Sequence, residues 1–363
     1  MILSDICEVY SGYALKDFND STKGFPVIKI GNILANGTID LTSCQYTEEK
    51  INKKYYSNNG DIYIALSGAT TGKIGVLNSN DRFVVNQRVG IVRKKKNDVP
   101  NDFIKYYLLR QTNRIMQEAA GCAQPNISPK QIAQYVIPEL DVNEMNQVVE
   151  VLNKLEVIIL LRTQELCLLN TLIKARFVEM FGSIKEERLL GDISEFVTVG
   201  IANSATHAYA ESGVPMLRNQ NIKENYLDDT DLIYIKPEFA AKYVTKKLKE
   251  NDIIAMRTGY PGIACLVPPK YEGCQTFTTL IVRLKEDNDP KYVCSYINSD
   301  LGKRFIDSGK VGVAQQNFGA KSFAKMPIKI APRVFQDEYA NFIRQIDKSK
   351  FVKINLVIYK NTI

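Results

Sequence analysis

A single histidine, His207, serves all 363 residues. Histidine triads, histidine metal centres and histidine acid–base catalysis all need that side chain beside suitable partners, so the inventory argues against those enzyme classes. The seven cysteines (7, 44, 122, 167, 265, 274 and 294) are odd in number, scattered and never spaced as CxxC. They read as reduced thiols packed as small hydrophobes rather than as disulfides or zinc ligands. No uninterrupted apolar run, that at residues 157–161 included, exceeds five residues, far short of the roughly 20 that cross a bilayer. Met1 is followed by no basic-then-apolar leader, and the expectation is a cytoplasmic protein. No Asp-Pro-Pro-Tyr type motif of amino-methyltransferases occurs, since the sole Pro-Pro pair lies in Val267-Pro268-Pro269-Lys270, and no nuclease-like carboxylate pair with a lysine stands out. The expectation is a binding chain without catalysis, metal or cofactor of its own.

What is present is ordinary in amount and distinctive in arrangement. With 45% hydrophobic residues the chain has material for two or three cored domains, and a formal charge of +7 leans mildly toward polyanion partners. Val148, Leu152, Leu155, Ile159, Leu166, Leu169, Ile173 and Met180 recur in steps of three and four, and neither proline nor glycine falls between residues 144 and 181. That predicts one helix of about 38 residues, or roughly 57 Å. A single greasy seam on so long a helix calls for a partner helix, and residues 334–363, with Ile343 and Ile346 in register, are the comparable segment.

The chain also repeats itself at an offset of about 191 residues. Asn59-Gly60-Asp61-Ile62 recurs as Glu250-Asn251-Asp252-Ile253, and Gly121-Cys122-Ala123-Gln124-Pro125-Asn126 as Gly312-Val313-Ala314-Gln315-Gln316-Asn317. PVIKIGNI at 26–33 recurs as PMLRNQNI at 215–222. The order is domain, helix, domain, helix: 1–140, 141–183, 184–332 and 333–363. Within the halves, residues 26–30, 61–65, 73–77, 82–92, 252–256, 263–267 and 277–284 read as strands, and 101–120 and 290–308 as helices. The fold class is α+β, in two pseudo-repeated globular domains joined by long helices.

Gly68-Ala69-Thr70-Thr71-Gly72-Lys73 is not a nucleotide P-loop, because three residues rather than four separate its glycines and Ile74 stands where magnesium needs Ser or Thr. Between two strands it reads either as a plain glycine-rich hairpin or as a tip presenting Ser67, Thr70, Thr71 and Lys73 to a phosphate backbone or base edges. Its counterpart, Arg257-Thr258-Gly259-Tyr260-Pro261-Gly262, keeps the glycines and changes the tip, as two readers of different targets require. Gln124, Asn126, Ser128, Gln315, Gln316 and Asn317 are loop amides and hydroxyls able to offer donor and acceptor together; bonding their own turns is the bland alternative. Lys29, Arg82, Arg88, Arg218 and Asn219 sit at or beside strands, where they can meet guanine or phosphate or simply be solvated. Lys94-Lys95-Lys96 reads as a solvated turn.

Taken together, the Gly-Asp-Ile strand, the Ser-Gly-Ala-x-x-Gly-Lys loop, the Gln-x-Asn-Ile-Ser stretch and the long helix, given twice, resemble the DNA-specificity subunit of type I restriction-modification systems. LSDICEVYSGYALKDF at 3–18 and LGDISEFVTV at 190–199 are similar to that family's domain starts. The resemblance implies two target recognition domains separated by two antiparallel helices, each domain reading half of a split double-stranded DNA site. It implies two modification subunits as partners, carrying adenine methyltransferase chemistry and S-adenosylmethionine, and recruitment of ATP-dependent restriction subunits. An orphan DNA-binding scaffold and a self-sufficient methyltransferase or nuclease are the alternatives. The second half departs from the pattern: its loop lacks the lysine, and Asn317-Phe318-Gly319 replaces Asn-Ile-Ser.

Overall fold

The computed structural model of the chain describes residues 1–95, 98–120, 125–202, 206–309 and 317–358, with the side chains of these except Thr206 and 351–358. They form two compact units, Met1–Leu161 and Arg162–Ile358.

In the first unit an antiparallel sheet runs in the order Cys7–Ser11, Val89–Lys94, Ile62–Ala65, Ile74–Val76. Ile62–Ala65 is apolar throughout because both of its faces are covered. Ile62 and Ile64 share a core with Phe103, Ile104, Leu108 and Ile115 of the helices, while Tyr63 and Ala65 pack with Ile28, Val85 and Ile91 on the other side. That second layer is a small sheet in which Phe25–Ile28 pairs antiparallel with Gln45–Thr47 and parallel with Val84–Val85.

The second unit repeats the plan. Its sheet has the order Ala264–Leu266, Ile253–Ala255, Leu280–Leu284, Ser194–Val199, and Val214–Leu217 pairs parallel with Gln275–Thr276. The same alternation holds: Ile253 and Ala255 belong to the core with Tyr292 and Ile306, and Ile254 to the core with Leu217 and Ile222.

The repeated Asp has one job in both units. Asp61 accepts from Arg93 Nε and Nη2 at 2.9 and 2.6 Å, and Asp252 accepts from Arg283 Nε and Nη2 at 2.8 and 2.7 Å. Each guanidinium also reaches a backbone carbonyl of the preceding segment, Tyr56 or Lys247, and so fastens that segment to the sheet. The forks are charge-assisted and bidentate, the strong form of such a contact.

Several sequence expectations are redrawn. The strand expected over 82–92 is two strands, Val84–Val85 and Val89–Lys94, parted by a turn at Asn86-Gln87-Arg88. The helix expected over 101–120 is Asn101–Arg110 and Thr112–Ala119, and that over 290–308 is Pro290–Asn298 and Asp300–Ser308. In the second case Ser299 is extended and its hydroxyl accepts from Gly302 N, ending one helix and capping the next.

The long helix spans Val142–Phe181, 40 residues. Asp141 and Glu144 bond each other's backbone N–H at 2.8 and 2.9 Å, a reciprocal cap that fixes its start. Its contact face in the first unit differs from the expected seam. Val148 and Leu155 are exposed and Leu152 and Ile159 half-buried, whereas Met145 is buried and Val149 packs on the first core. The reason is polar and non-local: Tyr106 donates to Asn153 at 2.7 Å and Lys105 pairs with the exposed Glu156 at 2.9 Å, turning the 145, 149, 153 face inward.

In the second unit Ile173, Phe177 and Phe181 are buried with Tyr339, Ile343 and Ile346 of the C-terminal helix Arg333–Ile358, with Leu169 partly buried against them and Leu166 half-buried. Arg176 pairs with Glu338 at 2.8 Å and Lys350 donates to Asn170 at 2.6 Å, so these two helical stretches run antiparallel.

Six cysteines among the described residues are free thiols. Burial pushes Cys7 and Cys294 up to about 12 and Cys274 up to about 11, which keeps them neutral. Among the described residues no three metal-capable side chains gather, and no helix is long and apolar enough to cross a membrane.

Candidate nucleic-acid interface

In each unit the central strands and the parallel pair bring several loops to one end of the sheet. Ile62–Ala65 leads into the Ser67–Lys73 loop there, Phe25–Ile28 leads into Lys29 and Ile30, and Val84–Val85 leads into Asn86. Asn126 joins them through an antiparallel bridge to Ser67, Gly68 N donating to Pro125 O at 3.1 Å and Ile127 N to Leu66 O at 2.9 Å. In the second unit Thr258 bridges Asn317 in the same way.

The glycines build these loops. Gly68, Gly72, Gly259 and Gly262 have φ of 82°, 84°, 81° and 94°, which side-chain-bearing residues rarely adopt. The second glycine of each loop also meets a helix: a Cβ on Gly72 would lie 3.4 Å from Ile115, and one on Gly262 2.2 Å from Ile306. Each loop thus turns on two glycines of left-handed φ, the second of which packs on a helix isoleucine, tightly at Gly262 and at ordinary contact distance at Gly72.

Four of the second unit's candidates, Asn219, Arg257, Thr258 and Asn317, form one hydrogen-bonded cluster. Asn219 Nδ2 donates to Thr258 Oγ1 at 2.8 Å, Arg257 N donates to Asn219 Oδ1 at 3.2 Å, and Arg257 Nε donates to Asn317 Oδ1 at 3.1 Å. Tyr260 stands at the tip, 74% exposed. In the first unit Ile30 lies where the second has Asn219, so the corresponding place is apolar.

Other candidates bond within the fold or lie away from this end. Thr71 is only 8% exposed and its hydroxyl donates to Gly68 O at 2.7 Å, closing the loop instead of facing outward. The Thr70 hydroxyl is likewise turned in, buried and without a hydrogen bond among the described residues. Ser128 caps a short helix, exchanging bonds with Gln131. Lys29 donates to Gln45 and lies 3.6 Å from the Phe18 ring centroid, and burial holds its ammonium below the usual lysine range. Arg218 donates to Asp231 O and Oδ2 at 2.9 and 3.0 Å. Arg82 precedes Val84–Val85 and so lies at the opposite end of the parallel pair from Lys29 and Asn86. Gln124, Gln315, Gln316 and Lys96 lie outside the described residues.

Lys73, half-buried, and Arg88, exposed, carry no ion pair among the described residues. Leu66 N donates to Arg88 O at 2.9 Å, which sets Arg88 beside the base of the loop. Sequence reading passed over the Asn86-Gln87-Arg88 turn and over Asn32 and Asn221. Each of those buried amides accepts from the backbone N–H of Lys29 or Arg218 and donates to a carbonyl further on, Asp40 or Asp228, holding the chain beside the loop. The repeated Asn in PVIKIGNI and PMLRNQNI was the available signal. The end of each unit thus presents amides, hydroxyls and cations, an assortment suited to base edges and phosphates.

A family model described as the type I restriction modification DNA specificity domain matches the chain twice, over residues 1–169 and 184–356. Among solved structures, a chain of a type I restriction-modification system, described for its complex assembly and conformational transition, is similar at 14% identity with a TM-score of 0.59, covering 100% of this chain and 94% of that one. The S subunit of a type I restriction-modification system from M. genitalium is similar at 14% identity with a TM-score of 0.54, covering 100% and 93%. At that identity the likeness is one of fold. No curated protein matches the chain.

Proposed function

The chain belongs to the type I restriction modification DNA specificity family, with one specificity domain in each half, and we propose on that premise that each of its units reads one half of a bipartite double-stranded DNA site. It is a DNA-binding specificity subunit, working with other restriction-modification subunits. Two modification subunits supply the adenine methyl transfer and hold the S-adenosylmethionine, and restriction subunits can join them; this chain contributes recognition and no catalysis.

The observation that carries this reading is the loop frame given twice with different tips. Gly68 and Gly72 match Gly259 and Gly262 in backbone conformation, while Ala69-Thr70-Thr71 is exchanged for Tyr260-Pro261. A constant frame with altered tips is what two domains selecting different short sequences need. An orphan scaffold would have no use for two distinct tips. Selection from a pool of random duplexes by the subunit in its complex is expected to yield two short fixed blocks separated by a gap of constant length and free sequence. Recovery of one block only, or of no preferred sequence, contradicts it.

Lys73 is expected to act on the DNA backbone rather than on a base, because an ammonium reads charge and gives little geometric discrimination. Lys73→Ala should weaken binding to all sequences alike and reduce the slope of log K against log salt by about one. An altered preference at one base pair with an unchanged slope would show that Lys73 is a base contact.

A further inference from the structure

The turn that interrupts residues 82–92 is held more firmly than its exposure requires. Tyr13 N donates to Val85 O at 2.7 Å, Asn86 N to Ile28 O at 3.0 Å and Gln87 N to Tyr13 O at 2.8 Å. Asn86 then closes the turn, its side-chain oxygen accepting from Arg88 N at 3.2 Å and its carbonyl from Val89 N at 2.9 Å. The crossing chain comes so close that a Cβ on Gly12 would lie 2.2 Å from Val85 O.

The second unit has the same clamp. Ile201 N donates to Thr276 O at 2.8 Å, Phe277 N to Leu217 O at 2.8 Å and Thr278 N to Ile201 O at 2.9 Å, with Gly200 at the close approach. Gln87 and Thr278 therefore occupy one apex on one scaffold. Thr278 is held at φ +54°, where a β-branched residue is an outlier and glycine would relieve the strain. A side chain is kept there in spite of its backbone cost.

The geometry points to Gln87 as a specificity-determining residue of the first unit, its carboxamide pairing with the major-groove edge of an adenine. An exposed glutamine on a turn is ordinarily just solvated. Three observations set this one apart: its backbone is fixed by the clamp, its amide is exposed and makes no hydrogen bond among the described residues, and its neighbours are the candidates already placed at this end. Arg88 follows it, and Leu66, which bonds Arg88, leads into Ser67 and its bridge to Asn126. A carboxamide offers one donor and one acceptor side by side, the complement of adenine N7 and N6–H₂. Fixing the backbone beneath it lowers the ordering cost of such a bidentate pair.

This inference rests on the reading of the loop end as a DNA interface, and the test separates the two. The full subunit in its complex is used to select from random duplexes, as wild type, Gln87→Ala and Gln87→Glu. Gln87→Ala is expected to lose about tenfold or more of its discrimination at one adenine position in one block. Every other position and the salt slope should remain unchanged. Gln87→Glu is expected to shift that position toward cytosine, whose N4–H₂ donates to a carboxylate. Full wild-type preference at all positions in Gln87→Ala, or relaxation only where the base is not adenine, overturns the assignment of Gln87 and leaves the wild-type result standing. A wild type that selects no sequence overturns the functional reading and this inference with it.

Discussion

Asp252→Ala is expected to destabilise the second unit by about 3–5 kcal/mol, because it breaks a buried ion pair and strands the remaining charge. Asp252 is 2% exposed and Arg283 16%, and the carboxylate also accepts from Lys249 N at 2.8 Å. Arg283 stays charged without its partner, since a guanidinium keeps its proton at any pH a protein tolerates. Such a loss is a large part of the roughly 5–15 kcal/mol that holds a domain folded. Calorimetry should show the second unit melting well before the first. Asp61→Ala should reverse the order, given the matching fork to Arg93. Replacing both partners, Asp252→Leu with Arg283→Met, should recover most of the stability, because a packed apolar pair of similar volume is often as stable as a buried ion pair. Melting of Asp252→Ala within about 0.5 kcal/mol of wild type, the range of an ordinary surface change, would remove the forks from the account.

Phe181→Ala should cost about as much, roughly 3–5 kcal/mol for a buried aromatic. Phe181 is 1% exposed and its ring lies 4.6 Å from Tyr292, 5.4 Å from Tyr339 and 5.2 Å from Phe177, centroid to centroid. The cavity opens where the end of the long helix, the C-terminal helix and the second unit's own helix Pro290–Asn298 meet. Hydrogen exchange should therefore accelerate over 169–181 and over the start of the C-terminal helix, with the first unit unchanged. Val148→Ala, on the exposed stripe, should shift stability by no more than about 0.5 kcal/mol. Equal effects from the two substitutions would restore the expected seam and refute the contact face described for the first unit.

The contrast between Val148 and Phe181 shows where sequence reading succeeds. The long helix announces itself through an unbroken apolar period free of proline and glycine, a local signal. Which of its faces packs is decided by Asn153 and Glu156 meeting Tyr106 and Lys105 from another segment, which periodicity does not encode. The central strands Ile62–Ala65 and Ile253–Ala255 were legible because each is an apolar run that recurs at one offset, while their burial on both faces is seen only in the fold. The turn at 86–88 was hidden by the β-branched residues on either side of it. Among the site residues, the loop glycines follow from the repeat, whereas the bridge between Ser67 and Asn126 is seen only in the fold. The burial of Thr71 and the engagement of Lys29 with Gln45 and of Arg218 with Asp231 do not, since each depends on a partner brought in by the fold.

Modular reading of a split site is tested most directly by exchanging residues 1–140 for those of another family member and mapping the adenines that the assembled complex methylates in genomic DNA. The account predicts that one half of the target changes to the donor's and that the other half, with the wild-type gap, is retained. A change in both halves, or in neither, would contradict it.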